Sequence, residues 1–376
     1  MRKREAGFSL VELFVTIAVI GFVLAAGSEM FVNLLRGYKQ QNRIAETNIE
    51  GVIGLEMLRR DIESAGYGLP WSIPGTTYAE VSTNATAEVY NDSTSNPPRA
   101  FLCGNNITGD SDLVSGADYM VVKAVNLPRN DACTKWAYLL STGGTTTWNP
   151  ASEDLDPNDH VIVLSPGTLT GDSRVLVGPI GAMSGGVASL FSDASDFFSS
   201  NETRVVYGID PDTNLIMPFN RADYRVSMSV TIPGRCAAGT GVLVKAVVSH
   251  STGGFNGGTL PLLDCVADMQ VVTYLDRNAD GTTDDFSNGL PTTDTAAASA
   301  QTVRNQLKEI HIYILAHEGQ RDSNYTHPTD DPGKIWVGEP GSETLGRKFN
   351  LAANITNWRN YRWKVYTLVV RPNNLR

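Results

Sequence analysis

Apolar residues crowd the start of the chain and then spread out at a regular interval. Between Glu12 and Glu29 lie sixteen uncharged residues, LFVTIAVIGFVLAAGS. Phe8 to Val11 extend that run toward the roughly 20 apolar residues a bilayer-crossing helix needs. Beyond Ser28, Phe31, Leu35, Tyr38, Ala45, Ile49, Val52, Leu55, Leu58, Ile62 and Ala65 recur at helical spacing. Lys39, Gln40, Arg43, Glu46 and Arg60 take much of the other face. No proline interrupts before Pro70, and Gly66-Tyr67-Gly68-Leu69-Pro70 is a stop signal. The pattern predicts one helix from Phe8 to Ala65, about 87 Å long at the standard rise, apolar all round at first and amphipathic later.

From Pro70 onward the period shortens to that of strands, in brief runs between connections rich in Gly, Ser, Thr, Asn and Pro. Strands are expected at Tyr119–Val125, Trp136–Leu140, His160–Leu164, Arg174–Val177 and Arg204–Ile209. Further ones are expected at Tyr224–Ile232, Val242–Ser249, Met269–Leu275, Glu309–Ala316 and Trp363–Val370. Alternation is clearest in Tyr224–Ile232, where Tyr224, Val226, Met228, Val230 and Ile232 share a face. Residues 295–308 read as a short helix, and 81–99, 141–159, 250–259 and 287–299 as long loops. The fold class is α+β, a long N-terminal helix followed by a large β-rich globular head.

Charge and cysteine content narrow the setting. The 376 residues carry a net charge of −10, and removing the first seven, with Arg2, Lys3 and Arg4 against Glu5, leaves −12. So acidic a body repels phosphate backbones and makes nucleic acid an unsuitable partner. Basic residues ahead of an apolar run stay on the cytoplasmic side. Cys103, Cys133, Cys236 and Cys265 include no CxxC pair, and an even number at wide spacing reads as two disulfides in an oxidising compartment. Three connectivities are possible. Sequence-adjacent pairing is preferred, each bridge contributing about 3.6 kcal/mol in the chain-entropy model.

Glu12 is the anomaly. A carboxylate inside a bilayer segment costs roughly 2.5–3.5 kcal/mol. A cleaved signal peptide ending near Ala25-Ala26-Gly27 leaves it unexplained, and so does a plain membrane anchor. MRKREAG followed by FSLVELFVTIAVIGFVLAAG resembles the leader and helix of a type IV prepilin: a short charged leader ending in Gly, then Phe, then glutamate four positions on. The resemblance implies that a prepilin peptidase cleaves between Gly7 and Phe8 and methylates the new amino terminus of Phe8. It further implies that Glu12 pairs with the terminus of a neighbouring Phe8 during filament growth. Each charge then lowers the other's desolvation penalty.

LRRDIESAGYG, LLDCVADMQVVTYLDRNADG, VRNQLKEIHIYIL and NYRWKVYTLVVRPNN resemble the PilW-type minor pilins. What this implies is a non-enzymatic subunit that helps initiate or cap a type IV pilus. It divides the chain into a leader (1–7), a transmembrane and amphipathic helix (8–66) and a periplasmic or extracellular head (67–376). The implied partners are other minor and major pilins, the prepilin peptidase, the inner-membrane assembly machinery and a tip adhesin. The alternative is a J-type minor pseudopilin of type II secretion, which shares the leader and helix.

Within the head, Asp276-Arg277-Asn278-Ala279-Asp280-Gly281-Thr282-Thr283-Asp284 follows the first nine positions of an EF-hand-type loop. Asp276, Asn278, Asp280, the Thr282 carbonyl and Asp284 are the candidate calcium ligands, and calcium is the one cofactor the sequence points to. Position twelve is Ser287 where such loops carry a bidentate Glu. His311 and His317 share a strand face but lack a third ligand nearby. The GDS triplets at Gly109–Ser111 and Gly171–Ser173 lack a nucleophile elbow and read as turns. The run Trp358-Arg359-Asn360-Tyr361-Arg362-Trp363-Lys364 reads as an amphipathic strand, with base stacking the competing possibility.

Overall fold

The apolar run and the periodic stretch behind it form a single helix, α1 (Leu10–Glu63), in the computed structural model. The structure describes residues 9–140, 145–165, 174–177, 202–290, 297–328 and 331–375. Ser64 and Gly66 end the helix. The Ser64 N–H donates to the Arg60 carbonyl, and Gly66 takes φ +84°, a conformation that a Cβ disfavours. The Glu63 carbonyl, left over at the helix terminus, accepts the Asn373 N–H at 3.0 Å, so the last residues of the chain close over it.

The head follows as strands β1 (Phe101–Gly104), β2 (Tyr119–Ala124), β3 (Trp136–Leu139), β4 (His160–Ser165) and β5 (Val175–Leu176). Next come β6 (Arg204–Asp210), β7 (Asn220–Ser227), β8 (Gly241–Val248), β9 (Phe255–Leu275) and β10 (Asp285–Ser287). The last are β11 (Leu307–Glu318), β12 (Lys334–Gly338), β13 (Gly346–Asn350) and β14 (Arg362–Val370). Helices α2 (Ala85–Glu88), α3 (Ala297–Gln306) and α4 (Leu351–Asn354) lie between them. The main antiparallel sheet runs β1-β2-β7-β8-β9-β11-β14, with β10 paired to the end of β9. A four-stranded sheet, β3-β6-β4-β5, and the β12–β13 hairpin complete the head.

Alternation along β9 and β11 divides two cores. Met269, Val271, Ile310, Ile312 and Ile314 face the larger core, which also takes in Leu55, Leu58 and Ile62 of α1. Ala267, Val272, Tyr313 and Leu315 face a second core with Val337, Phe349, Trp358, Tyr361 and Trp363.

Three expectations change. The strand expected at Met269–Leu275 begins at Phe255, inside a stretch that reads as a loop, because register shifts against β8 hide its alternation. The strand expected at Tyr224–Ile232 is Asn220–Ser227. It carries Asn220, Arg221 and Asp223 buried, and polar residues of that kind mask a strand. The packing face of α1 is also shorter than its apolar period. It buries Gly51, Gly54, Leu55, Leu58, Asp61 and Ile62, with Ala65 buried just past its end, whereas Phe31, Leu35, Tyr38, Ala45, Ile49 and Val52 stay exposed. Phe31, Leu35 and Tyr38 lie beyond the contacts of helix and head, which reach back to Ile44 and Arg43, and Ala45, Ile49 and Val52 lie on sides of α1 turned away from the head.

Two devices hold α1 down. At Gly54 a Cβ would lie 1.8 Å from the Leu262 carbonyl oxygen of β9, so only glycine permits this approach of helix to strand. Two turns on, the buried Asp61 carboxylate meets Lys245 Nζ at 2.6 Å, the Tyr224 hydroxyl at 2.8 Å and Arg129 Nη2 at 3.0 Å. A separate buried network fixes segment 80–99 to the sheet. Lys123 contacts Glu80 at 2.7 Å and Asp92 at 2.6 Å, Arg221 contacts Glu80 and Asp223, and Arg99 pairs with Asp92. Burial raises the Asp92 pKa, but Lys123 and Arg99 outweigh it and hold the carboxyl below its ordinary value.

Asp61→Ala leaves Lys245 charged and uncompensated in the core and is expected to cost about 3–5 kcal/mol. Glu56→Ala, which removes the exposed partner of Arg60, should cost less than about 1 kcal/mol. Urea unfolding of the full chain in detergent, followed by tryptophan fluorescence, measures both. Equal losses would refute the anchoring role of Asp61.

Candidate functional site

The N-terminal half of α1 is built for surroundings that the head does not supply. α1 is long and apolar enough to cross a membrane by length and composition, and none of its most apolar stretch is buried. Leu10, Phe14, Phe22 and Leu24 are each at least two-thirds exposed. Gly7 and Phe8, the expected cleavage and methylation positions, lie outside the described residues, as does the leader 1–7.

Glu12 has a local partner. Its N–H donates to Ser9 Oγ at 3.2 Å, and its Oε2 accepts the Ser9 N–H at 3.0 Å, a reciprocal capping box at the start of α1. Ser9 is the residue that a reading centred on Glu12 passes over, although the S-x-x-E spacing in FSLVE signals it. The carboxylate stays exposed while capped. It therefore satisfies a backbone donor at the start of its own helix and remains open to a cation.

The Asp276–Asp284 loop joins β9 to β10. Asp276 Oδ2 accepts the Gly281 N–H at 3.0 Å, Asn278 Oδ1 the Asp280 N–H at 3.0 Å, and Asp280 Oδ1 the Thr282 N–H at 2.8 Å. Asp284 Oδ1 accepts the Arg277 N–H at 3.0 Å. Hydrogen bonds from Thr282 hold the Asp280 carboxyl below its usual pKa. Among the described residues no three His, Cys, Asp or Glu side chains are arranged to hold a metal ion.

The cysteines pair once. Cys236 and Cys265 form a disulfide that ties the connection before β8 to β9. The expected Cys103–Cys133 bridge is absent, because Cys103 lies on β1 of the main sheet and Cys133 in a turn that leads into β3 of the other. Both are buried thiols. Burial pushes Cys103 up to about 12 and Cys133 up to about 11.

The remaining candidates resolve into structure. His311 stacks on Tyr274 and contacts Glu309 and Glu339, whereas His317 accepts the Ala237 N–H at 2.9 Å and lies against Tyr361 and Trp363. Burial lowers His317 to about 4. Gly109–Ser111 is a turn in which Asp110 binds Thr86 and the Asp112 N–H; the second GDS triplet lies outside the described residues. Trp358, Tyr361 and Trp363 are buried in the second core, while Arg362 pairs with Asp322 and Lys364 with Glu318. These rings are turned away from any base.

A family model described as the prokaryotic N-terminal methylation motif matches residues 2–28. Among solved structures, a type IV-like pilin from Thermus thermophilus superposes with a TM-score of 0.31 at 10% identity, covering 88% of this chain and 98% of that one. A TM-score of that size does not establish a shared fold. No curated protein matches the chain. The matched span includes the basic leader, Gly7, Phe8 and Glu12, so the N-terminus is of the prepilin type.

Alkylation counts the thiols. The native chain at pH 8 should react little, the denatured unreduced chain should take up two labels, on Cys103 and Cys133, and the reduced chain four. No labelling before reduction would establish the second bridge.

Proposed function

We propose that the chain is a PilW-like minor subunit of a type IV pilus, which helps start the filament or cap it through α1. The bare apolar half of that helix carries this reading. It extends from a head that has already buried its own cores, and such a surface is stable only in lipid or among other helices. The methylation motif over residues 2–28 supports the same reading. Before assembly, Arg2, Lys3 and Arg4 hold the leader in the cytoplasm and the head lies in the periplasm. The prepilin peptidase then removes residues 1–7 and methylates Phe8. In the filament the head, residues 67–376, stands at the tip beside other minor pilins, with major pilins below it and a tip adhesin beyond. No catalytic step is required of it.

Glu12 then has two duties, capping its own helix and pairing with the amino terminus of a neighbouring Phe8. Glu12→Gln separates them, since glutamine keeps an acceptor for the Ser9 N–H but has no charge. The variant should insert and mature normally yet be absent from sheared filaments, as should Glu12→Ala. Incorporation of Glu12→Gln at the level of the unaltered chain would reduce Glu12 to a cap. Mass spectrometry of the mature protein should find a methylated Phe8 as its first residue. Deletion that spares piliation but abolishes type II secretion would assign the chain to the J-type pseudopilins instead.

A further inference from the structure

At the corner between β9 and β10 one charged atom has no partner. Asp276 is 1% exposed. Its Oδ2 accepts the Gly281 N–H and lies 3.4 Å from Lys308 Nζ, but its Oδ1 is buried without a hydrogen-bond partner. Folded chains rarely leave a carboxylate oxygen bare in this way. The Gly281 bond holds the carboxylate across the turn that carries Asn278, Asp280 and Thr282.

Charge points to what is missing. Asp276, Asp280 and Asp284 bring three negative charges to the loop. Arg277 pairs with Asp285, and among the described residues Lys308 is the one cation within ion-pair distance of those three. The corner therefore carries an excess of two negative charges, the complement of a divalent cation. Its donors are all oxygen, which selects a hard ion. An exposed loop offering amide and carbonyl oxygens beside carboxylates suits the variable shell of calcium better than the strict octahedron of magnesium.

We propose that this loop binds one calcium ion, with Asp276 Oδ1 as the buried ligand. Asn278, Asp280, the Thr282 carbonyl and Asp284 complete an oxygen shell, directly or through water. Amide and main-chain oxygens supply what the acidic side chains do not supply alone. Position twelve contributes no carboxylate, since it is Ser287, whose hydroxyl donates to the Gly289 carbonyl. The site accordingly belongs with weak extracellular modules, with a dissociation constant of about 10⁻⁴–10⁻³ M. It stands independently of any role in a filament.

Equilibrium dialysis of the full chain in detergent against calcium chloride tests this. One ion per chain should bind in that range, and equal magnesium should not displace it. Asp280→Asn, at an exposed position that tolerates substitution, should weaken binding about tenfold or more by removing one ligand charge. Lys308→Met should tighten it several-fold by removing the competing ammonium at Asp276. Absence of saturable binding by the folded chain overturns the proposal. So does binding that neither substitution alters, since the ion would then lie elsewhere.

Discussion

The architecture turns on the Asp61 carboxylate, which is inside the protein on a helix whose other end is an exposed apolar stretch. Asp61 would oppose burial of α1 if it lacked partners. With Lys245, Tyr224 and Arg129 around it, it fixes one rotation and one depth of the helix on the sheet. An apolar stripe alone would let α1 slide or roll, because Leu55, Leu58 and Ile62 are interchangeable in what they seek. The carboxylate removes that freedom, and Gly54 sets the distance at which it acts.

The same helix thus carries two acids with opposite solutions. Asp61 is neutralised within its own chain, in the core. Glu12 has only backbone donors at the helix start, from Ser9, and stays exposed. A capping box compensates a carboxylate through the helix dipole and one N–H, which is enough in water and insufficient in hydrocarbon. The difference between the two positions is the physical content of the proposed function: one acid finishes the fold, and the other is left for assembly.

Much of this is legible in the sequence. The helix is evident because its apolar residues recur through more than fifty positions without proline, and β2, β4, β8 and β14 because their apolar runs are short and bounded by turn residues. What escapes sequence is what depends on a partner far along the chain. Asn220, Arg221 and Asp223 fall outside the expected strand, because Arg221 is satisfied inside the sheet only by Glu80 and Asn91, far away along the chain, and by Asp223. The first half of β9 is hidden by register shifts and by Cys265, whose φ of +58° breaks the strand period. Gly51 and Gly54 count as weaknesses by helix propensity, yet they are where the helix meets β9 most closely. In the candidate loop the ligand residues are plain from spacing, but Lys308 and the bare oxygen of Asp276 are visible only in three dimensions.

The ties between α1 and the head are clustered, and that has a mechanical consequence. Glu50 contacts Arg235 at 2.7 Å, Asp61 is held by Lys245, and the Glu63 carbonyl holds the C-terminal segment. Arg235 also binds Asp264 of β9 and adjoins Cys236, which is bonded to Cys265. A pull along α1 meets the head first where Arg43 binds Gln320, at 2.7 Å, and then through its last four turns, from which it passes into β9, the longest strand, by both an ion pair and a covalent bond. Because β9 pairs with β8 on one side and β11 on the other, the load is shared across hydrogen bonds in the middle of the sheet and kept off its edges. The proposed role, a subunit held in a filament by one helix, calls for that distribution, and the disulfide sits at the point where the load would otherwise concentrate.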